Sequence, residues 1–200
     1  MLKVTLIGDS IRMGYQPFVK ELLAEKAEVW GPEENGGDSP NVLAHLDEWA
    51  VKREADVIHV NCGLHDLKLH PGGRFQVPIE DYRKNIARIV ERLQNETNAQ
   101  IVWATCTPIV DARHNARKDV DFKRYDADVE RYNRAALEIV LGTALPRRDG
   151  NRARIRINDL RGIVEKLGVL DAVQTDGVHL TDRAYRELAQ AVARTVLPLP

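Results

Sequence analysis

The sequence has few cysteines for a chain of 200 residues, since only Cys62 and Cys106 are present. Two cysteines are too few for a disulfide framework or for a structural zinc site built on thiolates. Buried free thiols are the common state of such residues in a reducing compartment. The composition therefore excludes a fold that depends on disulfides or on a cysteine-bound zinc ion.

An excess of charge of either sign is also missing. The chain has 29 Lys and Arg against 30 Asp and Glu, which leaves a formal net charge of −1. No overall field favours nucleic acid or an anionic membrane, so we expect neither as a partner. No apolar run is long enough to span a bilayer, and no signal-peptide hydrophobic region precedes Gly8. We therefore expect a cytoplasmic protein.

Cofactor motifs are absent as well. The sequence contains neither Gly-x4-Gly-Lys nor Gly-x-Gly-x-x-Gly, so nucleotide binding has no support. His45, His59 and His70 lack the spacing of metal ligands. We expect no metal and no organic cofactor. What is present is a composition typical of globular proteins, 44% hydrophobic and 30% charged, and we expect one domain over residues 1–200.

Short apolar runs alternate with amphipathic segments along the chain. The apolar runs predict five strands, at residues 3–7, 27–30, 56–60, 100–105 and 155–158. The amphipathic segments predict helices at residues 16–26, 41–53, 80–94, 126–141 and 181–196. Strands that alternate with helices form βαβ units. We therefore predict an α/β fold: a three-layer α/β/α sandwich around a mostly parallel five-stranded sheet, as in flavodoxin-like proteins.

Ser10 directly follows the first predicted strand, in the stretch "IGDSIRMGY". Ligands of parallel sheets bind beyond the carboxyl ends of the strands. The free N–H groups and peptide dipoles at a helix start favour negative charge, which helps a serine oxygen lose its proton. They also let the serine backbone N–H hold an oxyanion. The alternative for this motif alone is a plain N-cap serine.

A histidine and an aspartate lie near the other end of the chain, in "DGVHLT". Asp176 and His179 are three residues apart, so the carboxylate can fix the tautomer of the imidazole and stabilise the imidazolium. The alternative is an ordinary surface turn. Because the first strand is usually central, Ser10 and this pair can meet at one sheet edge. Together they predict a Ser-His-Asp triad.

Four short blocks together resemble the SGNH/GDSL hydrolase superfamily. "IGDSIRMGY" is similar to the first block of that superfamily and "DGVHLT" to the last. The second block carries an oxyanion glycine, and "NGGDSPNVL" resembles it, with Gly37 in that place. The third block is usually Gly-x-Asn-Asp, and the matching stretch is "NCGLHDL". The blocks follow the family order from Gly8 to Thr181, so the resemblance covers nearly the whole chain.

The third block departs from the family pattern. The resemblance implies an oxyanion hole formed by the backbone N–H groups of Ser10 and Gly37 and by an asparagine side chain. The asparagine position holds His65 in this sequence. A neutral imidazole donates one N–H, so His65 can take over the role. Asn61, at the end of the third strand, is the alternative, and we favour His65 because it aligns with the motif.

The resemblance implies a serine esterase without a cofactor. Ser10 would attack the acyl carbonyl, His179 would take its proton, and Asp176 would orient His179. The chain has no large apolar insertion for a long acyl tail. This favours short acyl groups and, within the family, acetyl esters of carbohydrates.

Other functions remain open at this stage. A lysophospholipase or thioesterase is the alternative enzyme, and a catalytically inactive esterase-like binding domain is the alternative class, because of His65. A receiver domain fits poorly, since Asn61 and Cys62 follow the third strand where a phospho-acceptor aspartate is needed. Two charged stretches, at residues 111–126 and 146–154, are expected to form solvated loops, and their arginines suit a polar or acidic sugar.

Overall fold

The computed structural model describes residues 1–142 and 155–197. The predicted α/β fold is confirmed: a five-stranded parallel sheet is flanked by helices. The strands are β1 (Leu2–Ile7), β2 (Ala27–Trp30), β3 (Val57–Val60), β4 (Leu69–His70), β5 (Arg74–Phe75), β6 (Gln100–Ala104) and β7 (Arg156–Asn158). The helices are α1 (Ser10–Leu22), α2 (Ser39–Ala44), α3 (Leu46–Trp49), α4 (Ile79–Glu96), α5 (Asp111–Asn115), α6 (Asp126–Gly142), α7 (Leu160–Leu167), α8 (Val169–Ala172) and α9 (Asp182–Val196), with a 3-10 turn at Val51–Arg53.

The main sheet has the strand order β2-β1-β3-β6-β7, and each neighbouring pair is parallel. Val4 of β1 lies opposite Val29 of β2 on one side and Val57 of β3 on the other. All residues of β3 are buried, as expected for a strand covered on both faces. The chain moves from β1 outward to β2 and then returns to the other side of β1 at β3. A reversal of this kind leaves a crevice at the carboxyl end of β1.

The helices form two groups beside the sheet. Helices α1, α7 and α9 belong to one group, while α2, α4 and α6 belong to the other. Helix α4 buries the apolar stripe that its sequence predicted, consisting of Tyr82, Ile86, Ile89, Val90 and Leu93. β4 and β5 form a separate antiparallel pair that the sequence analysis did not predict.

Helix α1 begins at Ser10, whereas the sequence predicted its start at residue 16. Asp9 is the N-cap, and its Oδ1 accepts the N–H of Ile11 at 2.9 Å. The prediction was wrong because Gly14 and Pro17 are poor helix formers, yet both lie inside the helix. Gly14 has a packing role, since a Cβ added there would come within 2.3 Å of the Tyr185 ring on α9. The close approach of α1 and α9 therefore outweighs the weak local propensity.

The predicted helix at residues 41–53 is divided into α2, α3 and the 3-10 turn. His45 interrupts it with φ −98° and ψ 6°, and its ring stacks on Trp49. Its Nδ1 also lies 2.9 Å from the carbonyl oxygen of Asn41. The predicted core contacts survive the division, because Leu46 and Trp49 are still buried.

The charged stretch at residues 111–126 is not the solvated loop that the sequence predicted. It begins with α5, and its residues His114 and Arg124 are buried. Lys123 pairs with Leu69 of β4 through two N–H to carbonyl hydrogen bonds of 2.9 Å each. The prediction was wrong because the segment makes contacts with residues far along the chain: the Lys123 backbone pairs with Leu69, and Nε of Arg124 donates to the Leu64 carbonyl. The second charged stretch, residues 146–154, lies outside the described residues.

Some features can be stated only for residues 1–142 and 155–197. None of the helices there has both the length and the apolar composition that a membrane crossing requires. Within the same ranges, His, Cys, Asp and Glu side chains form no group of three or more that is suited to a metal ion. Cys62 and Cys106 are free and buried.

Candidate active site

Ser10 lies at the first turn of α1, at the carboxyl end of the internal strand β1. Its Oγ is 2.8 Å from Nε2 of His179. The capping role belongs to Asp9 rather than to Ser10, because Asp9 accepts the N–H of Ile11. The alternative interpretation of Ser10 as a simple N-cap therefore does not describe its side chain, which is directed at an imidazole.

Asp176 holds the other side of the imidazole. Its Oδ2 is 2.5 Å from Nδ1 of His179, and its Oδ1 accepts the backbone N–H groups of Val178 at 2.9 Å and His179 at 3.0 Å. Burial favours a higher pKa for Asp176, but these hydrogen bonds outweigh burial and lower its pKa. An ionised Asp176 accepts from Nδ1–H, which leaves Nε2 as the acceptor of the Ser10 hydroxyl.

The loop that carries Asp176 and His179 depends on a glycine between them. Gly177 has φ +80°, a left-handed conformation that L side chains rarely adopt. A Cβ on Gly177 would lie 2.4 Å from the backbone nitrogen of His114 and 2.7 Å from the carbonyl oxygen of Val110. The N–H of Val110 also donates to the Gly177 carbonyl at 2.8 Å. Contacts of Gly177 with Val110 and His114 therefore hold the loop that carries Asp176 and His179 in place.

The second sequence block forms a loop beside Ser10. Gly36 donates its N–H to the carbonyl of Gly8 at 3.0 Å, and a Cβ on Gly36 would lie 2.6 Å from that oxygen. Gly37 follows with φ +64°. Its N–H donates to Oδ1 of Asn35 at 2.9 Å. The predicted oxyanion donor is therefore engaged by a neighbouring side chain, which a substrate oxygen would have to replace.

Hydrogen bonds join the second and third blocks. The carboxylate of Asp66 accepts the N–H of Ser39 at 2.9 Å and its hydroxyl at 2.5 Å. Asn85 of α4 donates to the same hydroxyl at 3.0 Å. Burial raises the pKa of Asp66 to about 7, although the hydrogen bonds from Ser39 oppose the shift. This cluster fixes the start of α2, and with it the loop that contains Gly37.

The two candidates for the side-chain oxyanion donor differ in their surroundings. The amide nitrogen of Asn61 donates to the carbonyl of Ala104 at 2.7 Å and contacts Sγ of Cys106 at 3.5 Å. Asn61 is therefore directed into the sheet edge and we do not propose it as a donor. The His65 ring has no hydrogen-bond partner within the described ranges and lines the cavity beside Ser10. Burial lowers the pKa of His65 to about 4, so its ring is neutral at pH 7 and carries one N–H.

Ser10 and His179 open onto a cavity of about 250 Å³. Leu64, Phe122 and Val178 supply apolar surface to its lining. The volume lies just below the usual range for small-molecule pockets. The cavity therefore suits a small group on the reacting side of a substrate.

A family model described as GDSL-like lipase/acylhydrolase matches residues 4–192. The chain belongs to the GDSL-like lipase/acylhydrolase family. It is therefore a carboxylic ester hydrolase, and the sequence-based resemblance is confirmed at the level of the family. A comparison with curated protein sequences gives no match.

Solved structures of similar fold include hydrolases with different described substrates. The GDSL hydrolase superposes on a lipase/acylhydrolase from Enterococcus faecalis with a TM-score of 0.77 and 19% identity, covering 98% of this chain and 95% of that one. The superposition on an acetyl xylan esterase (AlAXEase) has a TM-score of 0.73 and 19% identity, covering 98% of this chain and 100% of that one. The superposition on a carbohydrate esterase family 3 protein from Talaromyces cellulolyticus has a TM-score of 0.71 and 15% identity, covering 98% of this chain and 96% of that one. At these identities the similarity establishes the fold alone.

Arg12 of the GDSL hydrolase has a structural position that the sequence did not indicate. A helix-start arginine is usually exposed, but Arg12 is only 2% exposed. Its guanidinium donates to the carbonyl oxygens of Pro32 at 2.8 Å and Glu34 at 2.7 Å, and more distantly to Gly8 at 3.4 Å. Arg12 therefore ties α1 to the loop that leads to Gly37.

The sequence analysis expected the arginines of the 111–126 stretch to suit a polar or acidic sugar, but it did not name individually several residues around the cavity of the GDSL hydrolase. They are Asn35, Lys68, Arg117, Val120, Phe122 and Arg124, and four of the six come from the 111–126 stretch. The alternation of Val120, Phe122 and Arg124 is the one available signal, because alternate residues of an extended segment share a face. His114 of the same stretch does not line the cavity; burial lowers its pKa to about 4.

Proposed function

We propose that this GDSL hydrolase is a serine esterase that removes short acyl groups, above all acetyl, from carbohydrate esters. The observation that carries the proposal is the hydrogen-bonded series from Ser10 through His179 to Asp176, with contacts of 2.8 and 2.5 Å. In such a series the imidazole accepts the hydroxyl proton while the carboxylate stabilises the imidazolium.

The proposed reaction has two halves. Ser10 Oγ attacks the acyl carbon as its proton passes to Nε2 of His179. The tetrahedral intermediate then collapses, and the proton on His179 goes to the leaving alcohol, which leaves an acyl group on Ser10. In the second half, a water molecule gives a proton to His179 and attacks the acyl carbon. Ser10 regains its proton when the carboxylic acid product is released.

The negative oxygen of each intermediate needs donors that are already in position. The backbone N–H of Ser10 is one of them. We propose Gly37 as the second, once the substrate oxygen replaces Asn35 Oδ1 on its N–H. The neutral ring of His65 supplies the third N–H, in the place of the asparagine of the family pattern.

The choice of acyl group and alcohol rests on two supports. The cavity of about 250 Å³ leaves little space beyond a short acyl group and the adjoining part of an alcohol. Two of the structures with the same fold are described as an acetyl xylan esterase and a carbohydrate esterase.

A chain-length series tests this proposal. Wild type and Ser10→Ala are compared on 4-nitrophenyl acetate, butyrate and octanoate, and on acetylated xylo-oligosaccharides. The proposal predicts the highest kcat/KM for acetate among the three chromogenic esters, release of acetate from the oligosaccharides, and no turnover by Ser10→Ala. A preference for octanoate would favour the lysophospholipase or thioesterase alternative, and the absence of all turnover would favour an inactive binding domain.

A further inference from the structure

Two cations lie side by side on one wall of the cavity next to Ser10. Lys68 and Arg124 both line this cavity. Leu69 and Lys123 form an antiparallel bridge, and this register sets Lys68 across from Arg124. Like charges in opposite positions of paired strands repel each other. Such a pair is therefore unfavourable unless something else in the site compensates it.

Arg124 is held rigidly but leaves its terminal nitrogens free. The residue is only 6% exposed. Its Nε donates to the Leu64 carbonyl at 2.8 Å, and its backbone N–H and carbonyl are both bonded to the Asn115 side chain. Its guanidinium carbon lies 4.9 Å from the centre of the Phe122 ring. Among residues 1–142 and 155–197, the Nη1 and Nη2 groups have no hydrogen-bond or ion-pair partner, so four N–H donors are available to a ligand.

Lys68 is in a similar position on the facing segment. Its Nζ lies 4.9 Å from the same Phe122 ring and forms no ion pair with a described residue. Burial lowers the pKa of Lys68, and the charge of Arg124 lowers it further. Burial likewise lowers the pKa of Arg124 to about 10. Both shifts reflect the cost of keeping a cation at this wall, a cost that a bound anion would relieve.

The neighbouring charged groups do not neutralise the pair. Asp9 lines the same cavity, but none of its oxygens is within 4.0 Å of a Lys68 or Arg124 nitrogen. The third cation of the cavity, Arg117, is by contrast paired with Asp119 and lies 4.0 Å from Asp176. Asp38, Asp66 and Asp176 also attract one or other of the two cations. No carboxylate of the described residues forms an ion pair with Lys68 or Arg124, so both cations remain able to pair with a bound anion.

We propose that Lys68 and Arg124 bind a carboxylate that the ester substrate carries, so that this enzyme selects acidic esters over neutral ones. This inference rests on the proposed esterase function and names its substrate class. Two free guanidinium nitrogens match the two oxygens of a carboxylate, and a lysine adds a point charge. Because Ser10 opens onto the same cavity, the carboxylate and the scissile ester belong to one molecule.

The carboxylate can belong to either half of the ester. On the acyl side it makes the substrate a hemiester of a dicarboxylic acid. On the alcohol side it makes the substrate an acylated hydroxy acid, such as an acetylated uronic acid. The two sources share the chemistry that Lys68 and Arg124 recognise, and matched ester pairs separate them.

Two pairs of acidic and neutral esters test the inference. Mono-4-nitrophenyl glutarate is compared with its methyl ester for the acyl side, and 4-acetoxybenzoate with its methyl ester for the alcohol side. We expect kcat/KM for the acidic member of at least one pair to exceed that of the neutral member about 10-fold or more, as for a charge-assisted hydrogen bond. Added salt should reduce this preference.

Two variants assign the preference to residues. Lys68→Met keeps the aliphatic chain and should lower the ratio of acidic to neutral kcat/KM about 10-fold. Arg124→Gln should lower the same ratio. Because Arg124 is buried, the Arg124→Gln protein can fail to fold, and in that case Lys68→Met alone decides. Lys123→Gln is the matched control, because Lys123 is an exposed cation adjacent to Arg124, and it should leave the ratio unchanged.

The outcomes separate this inference from the proposed function. Turnover of 4-nitrophenyl acetate with equal rates inside both pairs would overturn the inference and leave the esterase proposal standing. A preference for acidic esters that persists in Lys68→Met would also overturn it. No turnover of any ester, 4-nitrophenyl acetate included, would overturn both proposals together.

Discussion

The hydroxyl oxygen of Ser10 lies 2.8 Å from Nε2 of His179, although 169 positions separate the two residues in the chain. Ser10 begins α1, and His179 lies just before α9. These two helices pack against each other, with the Gly14 backbone against the Tyr185 ring. The contact on which the proposed chemistry depends is therefore set by the packing of α1 on α9.

His65 is expected to contribute the side-chain donor of the oxyanion hole. His65→Ala should lower kcat about 100-fold or more, because one donor to the developing negative oxygen is lost. His65→Asn should recover part of the loss, since an amide N–H restores a donor. Steady-state kinetics on 4-nitrophenyl acetate measure both effects. Wild-type kcat in His65→Ala would show that the donor lies elsewhere.

Arg12 is expected to stabilise the loop that contains Gly37. Arg12→Met removes charge-assisted hydrogen bonds to the carbonyl oxygens of Pro32 and Glu34, and it leaves the buried Pro32 carbonyl without this donor. The free energy of unfolding should fall by about 3 kcal/mol, as measured by urea unfolding. The matched control is Arg186→Met, an exposed arginine of α9 over the Phe18 ring, which should lose less than about 1 kcal/mol. Equal losses in the two variants would contradict the role given to Arg12.

The buried His59 should make the folded state sensitive to acid. Its Nε2 lies 3.0 Å from the Asn158 amide nitrogen, and burial lowers its pKa from 6.5 to about 4. Between these values the unfolded state binds more protons than the folded state, so this contribution to stability is lost as the pH falls. His59→Gln keeps an acceptor but does not titrate. From pH 7 to pH 4.5 wild type should lose about 2 kcal/mol more than this variant.

Wild type must be compared with His59→Gln because the titration of Asp66 changes the free energy of unfolding in the opposite direction. Burial raises its pKa to about 7, so the folded state binds the extra proton and the stability contribution falls as the pH rises. This effect is common to wild type and His59→Gln and cancels in the difference. Parallel stability curves for the two proteins over pH 4.5 to 7 would show that His59 does not titrate as described.

The three residues that the sequence analysis proposed as a triad, and that the structure brings into contact, were chosen from local signals. Ser10 directly follows a buried strand, and Asp176 is three residues from His179, so each motif is visible within a few positions. Parallel-sheet topology then supplies the long-range step, because the ends of parallel strands share one edge. The helices with strong periodicity, such as α4 and α9, were predicted for the same reason.

The residues that the sequence analysis missed depend on partners far along the chain. From the sequence alone, Arg12 and Arg124 would be expected at the surface, because their charge is the only local signal. Both are buried because backbone carbonyls of other loops accept their guanidinium N–H groups: Pro32 for Arg12 and Leu64 for Arg124. The engagement of the Gly37 N–H by Asn35 depends on a loop geometry that composition does not encode. The break at His45 likewise follows from its contact with Trp49.

Labelling with a fluorophosphonate, followed by peptide mass spectrometry, tests the central claim most directly. The chain contains two Gly-Asp-Ser tripeptides, and only Ser10 faces an imidazole, while Ser39 is buried and hydrogen-bonded to Asp66. The account predicts one adduct on Ser10, a much slower reaction in His179→Ala, and no labelling of Ser39 in Ser10→Ala. A folded wild-type protein whose Ser10 stays unmodified under conditions that label an active serine hydrolase would contradict it.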